Sequence, residues 1–290
     1  QRGVRDRMNR DGASCLPPLI MAKIETPQAL RDIDGIVAAS DGIMIARGDL
    51  GVEMDLAQVP VIQRRLIQIA HDHGKPSIVA TQMLESMIKA PTPTRAEVND
   101  VATAILDQAN AVMLSGETAA GRYPVLTVET MVRVSHQTEG FLAQERPGPK
   151  PPKHLVDSRY HTAALAHGVW TIARDIGAVC IGIWSLQGDG ARFLAQNSFQ
   201  IPIVVATSDM RHARQMQLLR AVSPIPLAEP SGVSELTRRL DEIFRAEGWA
   251  EPGDAAILVA REPLVAPGLT NALAIHIVGD PDSGFAHHNH

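Results

Sequence analysis

The chain has 290 residues, 45% of them hydrophobic, with 27 Lys and Arg against 32 Asp and Glu and a formal net charge of −5. That length buries one or two sizeable cores, and the slightly acidic balance excludes the clustered positive charge that nucleic-acid binding needs. Two cysteines, Cys15 and Cys180, are too few for a disulfide framework and suit a reducing cytoplasm, and no apolar run approaches the roughly 18 residues of a membrane span.

In chain order, a charged helix is expected over residues 2–10. From residue 19 to about 118, short apolar runs alternate with longer amphipathic ones, the pattern of βα units on a parallel sheet. Strands are expected at 19–24, 42–46, 77–81 and 111–114, and helices at 59–73, 97–108 and 124–144. Residues 146–153, Arg-Pro-Gly-Pro-Lys-Pro-Pro-Lys, sustain neither helix nor strand and mark a linker between one domain at 1–145 and a second at 154–279. The second begins with a helix over 156–176. Its strands are expected at 178–185, 201–206, 224–227, 255–260 and 272–278, with helices at 192–197, 210–219 and 231–247, which makes a separate α/β domain on a mostly parallel five-stranded sheet. Residues 280–290 read as a disordered polar tail whose His287, His288 and His290 have no preorganised geometry for a metal.

In a (β/α) barrel, chemistry sits at the C-terminal ends of the strands. The first of these ends in Lys23-Ile24-Glu25, where period-two alternation sends the cation and the anion to one face. The second ends in Ala46-Arg47-Gly48-Asp49, the third in Thr81-Gln82 and the fourth in Ser115-Gly116-Glu117. Glu25 and Asp49 on neighbouring strands form a hard-oxygen pair suited to Mg²⁺ or Mn²⁺, and Lys23 beside them suits charge developing on a phosphoryl group. Each has an ordinary reading as well: Lys23–Glu25 as a surface ion pair, Gly48-Asp49 as a turn, Thr81 and Ser115 as helix caps. Recurrence of polar groups at four successive strand ends, where a core takes Val or Leu, favours a site.

The runs Ala22-Lys23-Ile24-Glu25, Ser40-Asp41-Gly42-Ile43-Met44-Ile45-Ala46-Arg47-Gly48-Asp49-Leu50-Gly51, Ala80-Thr81-Gln82-Met83-Leu84-Glu85-Ser86-Met87, Pro93-Thr94-Arg95-Ala96-Glu97 and Met113-Leu114-Ser115-Gly116-Glu117-Thr118-Ala119 together resemble pyruvate kinase. The resemblance implies the last four βα units of a TIM (β/α)8 barrel followed by the family's C-terminal regulatory domain. It implies phosphoryl transfer from phosphoenolpyruvate to ADP, giving pyruvate and ATP in glycolysis. Lys23 corresponds to the residue stabilising the phosphoryl group, Glu25 and Asp49 to the Mg²⁺ (or Mn²⁺) ligands, and the backbone of Ala46, Arg47, Gly48 and Asp49 to the receptor of the substrate carboxylate. Thr81 corresponds to the group beside the enolate, with Ser115 and Glu117 in the accompanying proton relay. A K⁺ ion, whose ligands would lie in the family's first half, a cytoplasmic location and a homotetramer are further implications. Four strands are half a barrel, so negligible turnover is expected of these residues alone. The alternatives are a metal-dependent aldolase or lyase acting on a pyruvate enolate, and a non-catalytic regulatory or assembly module.

Overall fold

The structure, a computed structural model, describes residues 18–144, 160–197, 199–261, 264 and 270–285. The expected helix over 2–10, Cys15, the linker at 146–153, the start of the 156–176 helix and His287, His288 and His290 lie outside the described residues. The chain divides into two compact units, 1–148 and 149–290.

The first unit carries four strands, β1 (Met21–Ile24), β2 (Gly42–Ala46), β3 (Ser77–Ala80) and β4 (Ala111–Met113), all parallel and adjacent in chain order. That order is the one consecutive barrel units take, and among the described residues the sheet does not close. The helices are α1 (Pro27–Arg31), α2 (Ile33–Ala39), α3 (Arg47–Glu53), α4 (Val59–Asp72), α5 (Arg95–Leu106), α6 (Gly116–Ala119) and α7 (Pro124–Gln144), with 3-10 turns at Leu56–Gln58 and Glu85–Ile88. Strands buried on both faces read as continuous apolar runs, and all four residues of β3 are buried. Ile45, Val79, Leu66 of α4 and Val101 of α5 meet in one core. Burying a side chain of that size is worth about 1.5–3 kcal/mol, against about 0–1 kcal/mol for an exposed ion pair. The sheet and its helices therefore hold the unit together, and substitutions at the strand tips leave it folded.

Local polar contacts fix the ends of the elements. Thr94 and Glu97 form a reciprocal capping box that starts α5, and Glu97 also accepts from the N–H and hydroxyl of Ser86. Burial alone would raise the Glu97 carboxyl, but the bonds from Ser86 and Thr94 outweigh it and hold the group below its ordinary value. At the N-terminal side of β3, Lys75 Nζ donates to the carbonyls of Val37 and Ala38 at 2.8 Å each, closing the end of α2.

The second unit holds β5 (Cys180–Trp184), β6 (Ile203–Thr207), β7 (Val222–Pro226), β8 (Ala255–Ala260) and β9 (Ala272–Ile277), with α8 (His161–Ile176), α9 (Asp189–Ala195), α10 (Met210–Met216) and α11 (Val233–Ala246). The sheet order is β7-β6-β5-β8-β9, and β9 alone runs antiparallel. Alternation along the strands builds two layers of core. Ile181, Ile183, Val205 and Val259 pack with α8 and α9, while Cys180, Trp184, Val204 and Leu258 pack with Leu236, Leu240 and Phe244 of α11. Gly182 lies under α11, where a Cβ would come within 2.7 Å of Phe244 Cζ. Of the tryptophans, Trp184 is buried, whereas Trp170 is partly buried with the Arg174 guanidinium 4.9 Å over its ring.

Residues 280–285 fall inside the expected disordered tail, yet they fold back on α11. Thr237 Oγ1 accepts from the Phe285 N–H at 3.3 Å, and buried His276 of β9 links Asp241 of α11 at 3.0 Å to Ser283 at 2.8 Å. No stretch this short carries an apolar pattern of its own; these tertiary hydrogen bonds order it.

Burial, aided by Asp254, pushes the Cys180 thiol up to about 12. The thiolate is the nucleophile, so a Cys15→Ser chain is expected to resist a maleimide at pH 8 while folded and to take up one equivalent in denaturant. Rapid labelling of the folded chain would mean that β5 is open.

Candidate functional site

The parallel register of the first unit brings four strand tips to one rim. Lys23 pairs with Met44 across β1 and β2, and Ala46 with Ala80 across β2 and β3, so the residues just beyond them converge. Lys23 Nζ donates to Glu25 Oε2 at 2.5 Å and to Asp49 Oδ2 at 2.8 Å. All three side chains are about half exposed, at 49%, 42% and 50%, which leaves the cluster open to a ligand. The hydrogen bond to Asp49, followed by that to Glu25, raises the lysine well above its ordinary range and keeps it an ammonium at any physiological pH.

Asp49 stands in the first turn of α3, one residue beyond Gly48. Alternation along β1 places Lys23 and Glu25 together, while the turn from β2 into α3 carries Asp49 to them. The ordinary reading of Gly48-Asp49 is a turn, whereas residues 47–53 form a helix. The segment is helical because Leu50 is fully buried in the core and anchors the turn. The Gly48 N–H, expected to face an anion, donates to Thr81 Oγ1 at 2.7 Å. A Cβ at 48 would lie 3.2 Å from the same oxygen, a tight contact that the Thr81 side chain would have to yield a few tenths of an ångström to accept.

Thr81 caps no helix. β3 ends at Ala80 rather than at 81 because Thr81 and Gln82 turn into the left-handed region, with φ of 69° and 53°. Arg47 is buried, and its guanidinium faces the backbone of this turn instead of the rim: Nη2 donates to the Thr81 and Gln82 carbonyls at 2.9 and 2.7 Å. Ser115 precedes α6 without a side-chain capping bond. Glu117, 3% exposed, receives the N–H of Ser115 at 2.7 Å and that of Leu84 at 3.2 Å. One carboxylate thereby ties the β4 tip to the segment after β3. Sequence reasoning missed Asp100 on α5, whose Oδ2 lies 3.2 Å from Arg47 Nη1; no local signal marks a half-exposed aspartate whose partner is 53 residues away.

A divalent cation fits this donor set. Two carboxylates converge at an open rim, and among the described residues no cluster of three or more His, Cys, Asp or Glu exists to encage a metal. The chemistry is that of a hard ion taking one or two protein carboxylates and completing its shell with water and substrate oxygens. Lys23 bridges the same two carboxylates as a monovalent cation. The rim thus offers two carboxylates to a cation and one ammonium to an anion.

Among the described residues no helix is long and apolar enough to cross a membrane. The family profile described as "Pyruvate kinase, barrel domain" matches residues 3–128, and that described as "Pyruvate kinase, alpha/beta domain" matches residues 163–276. The pyruvate kinase of Methylorubrum extorquens is 42% identical over 266 residues, covering 90% of this chain and 54% of that protein. That of Mycobacterium tuberculosis is 36% identical over 267 residues, with 91% and 54% covered. A crystal structure of a pyruvate kinase from Cryptosporidium parvum superposes with a TM-score of 0.79 at 32% identity, covering 92% of this chain and 53% of its own. The chain spans about half the length of the curated relatives it matches.

Proposed function

The chain belongs to the pyruvate kinase family, and from that premise we propose that its rim forms part of a site transferring a phosphoryl group from phosphoenolpyruvate to ADP. The observation that carries this reading is the single ammonium of Lys23 held by both Glu25 and Asp49. In the proposed reaction the bond between phosphorus and the enol oxygen breaks, a bond from phosphorus to a terminal ADP oxygen forms, and the enolate carbon takes up a proton to give pyruvate.

Each residue's part follows from its place. Glu25 and Asp49 would hold Mg²⁺ or Mn²⁺, which would neutralise charge on the phosphate and carboxylate oxygens. Lys23, charged at all relevant pH, stabilises the three equatorial oxygens of the group in flight. The backbone of Ala46, Arg47 and Asp49, at the start of α3, receives the substrate carboxylate, beside a Gly48 N–H that Thr81 holds. Thr81 Oγ1 accepts from Gly48, which leaves its own proton free to be donated toward the enolate. Both Glu117 oxygens are committed to backbone N–H groups, which supports a holding role for it beside the Ser115 hydroxyl rather than proton transport. The aldolase or lyase reading is not favoured, since the relatives described above are all named pyruvate kinases.

A barrel closes with eight strands, and among the described residues this sheet has four. The 290-residue chain alone is expected to form no ATP above background from phosphoenolpyruvate, ADP and Mg²⁺. A chimera in which it replaces the matching part of the Methylorubrum extorquens enzyme is expected to form ATP readily. A folded but inactive chimera would overturn the proposal, and robust turnover by the chain alone would overturn the need for further strands.

A further inference from the structure

Two consecutive non-glycine residues at positive φ, Thr81 and Gln82, are uncommon, and for a β-branched threonine the conformation is strained and persists only where neighbours impose it. Arg47 is the neighbour that does so. Its side chain is 9% exposed, its Nη2 donates to the Thr81 and Gln82 carbonyls at 2.9 and 2.7 Å, and its Nε donates to the Thr81 carbonyl at 3.3 Å. Nη2 also lies 3.0 Å from Met83 Sδ. Burial lowers the guanidinium below its ordinary value, and Asp100 opposes that shift. Asp100 is the carboxylate on Nη1, at 3.2 Å, reaching in from α5, while its own side chain is 48% exposed.

We propose that Asp100, acting through Arg47, is a positioning residue for Thr81. The ion pair keeps the guanidinium seated under the Thr81–Gln82 turn, and the turn keeps the Thr81 hydroxyl on the Gly48 N–H. Asp100 touches neither the rim cluster nor any group assigned to substrate, so its effect is transmitted. A charge-assisted hydrogen bond to a buried guanidinium is among the stronger kinds, and nothing else described compensates the Arg47 charge. The link to catalysis rests on the assignment of Thr81 made above; the link from Asp100 to the turn does not.

The test uses the full 290-residue chain with Asp100→Ala, Asp100→Asn and Asp100→Glu. Three readouts are taken: amide exchange at Gly48, Mn²⁺ affinity, and affinity of the Mn²⁺-loaded chain for oxalate, a planar dianion of enolate size. Asp100→Ala is expected to speed Gly48 exchange about tenfold and to weaken oxalate about tenfold, with strand amides of β2 and β3 as protected as before and Mn²⁺ affinity unchanged. Asp100→Asn is expected to move both affected quantities about threefold and decides the matter if the alanine chain does not fold; Asp100→Glu restores them. Unchanged Gly48 exchange overturns the proposal, as does a loss of protection spread evenly over β2 and β3, which would make Asp100 a stability residue only. If the unaltered chain fails to bind oxalate, the catalytic reading of Thr81 falls, and Gly48 exchange still decides the role of Asp100.

Discussion

A chain carrying Lys23→Met is expected to bind Mn²⁺ about five- to tenfold more tightly than its parent, while the chimera carrying the same change loses at least about 10³-fold in phosphoryl transfer. The two effects have opposite signs because Lys23 has two relations to its neighbours. Its ammonium sits on one oxygen of each carboxylate proposed to hold the divalent ion, at 2.5 and 2.8 Å. It competes with the metal for those oxygens, modestly, because all three side chains are half exposed and screened by water. In the proposed transfer, the charge it balances lies on the phosphoryl oxygens, where a fixed cation counts for far more than in open water. Methionine keeps the length and the packing of the stem. Because the fold rests on the sheet core, the variant is expected to unfold at the parent's temperature. Weaker Mn²⁺ binding would place Lys23 outside the metal site, and undiminished transfer in the chimera would remove it from the chemistry.

Glu25→Gln and Asp49→Asn are each expected to weaken Mn²⁺ by about 10²-fold, measured by titration of the free-ion paramagnetic signal. A bound divalent ion with only two protein carboxylates loses half its protein charge with either change. If both hold one ion, each single variant weakens that one binding event and the double variant abolishes it. Two independent ions would instead leave one site of full affinity in each single variant. Glu53→Gln, a change at an exposed residue near the end of α3, serves as the control and is expected to leave the affinity within about twofold.

Much of this is legible in the sequence because strands and helices write their periods into it. The four apolar runs of the first unit and the five of the second give strands within two or three residues of their observed bounds, and the parallel order follows from the βα alternation. Lys23 and Glu25 share a face by alternation alone. The strand tips mislead where tertiary contacts override local preference. Gly48-Asp49 on its own reads as a turn, yet it lies in the first turn of a helix that buried Leu50 anchors; Thr81 reads as strand, and Arg47 draws it into positive φ. Arg47 itself, grouped with the substrate-binding residues, spends its side chain on the backbone beneath the site. The bracing contacts of Glu117 and Asp100 span 33 and 53 residues, and neither carries a pattern that marks its partner. The fold back of residues 280–285 depends on Asp241, Thr237 and His276, three residues dispersed over α11 and β9.

The most direct measurement of the account is paramagnetic broadening of the chain's amide signals by substoichiometric Mn²⁺. One ion shared between strand tips is predicted to broaden residues 23–25, 48–50 and 81–82 together, in parallel, and to spare the opposite end of the sheet around Lys75 and Asn110. Broadening confined to one tip, or spread over the surface with no common centre, would contradict the claim that Lys23, Glu25 and Asp49 converge on a single cation.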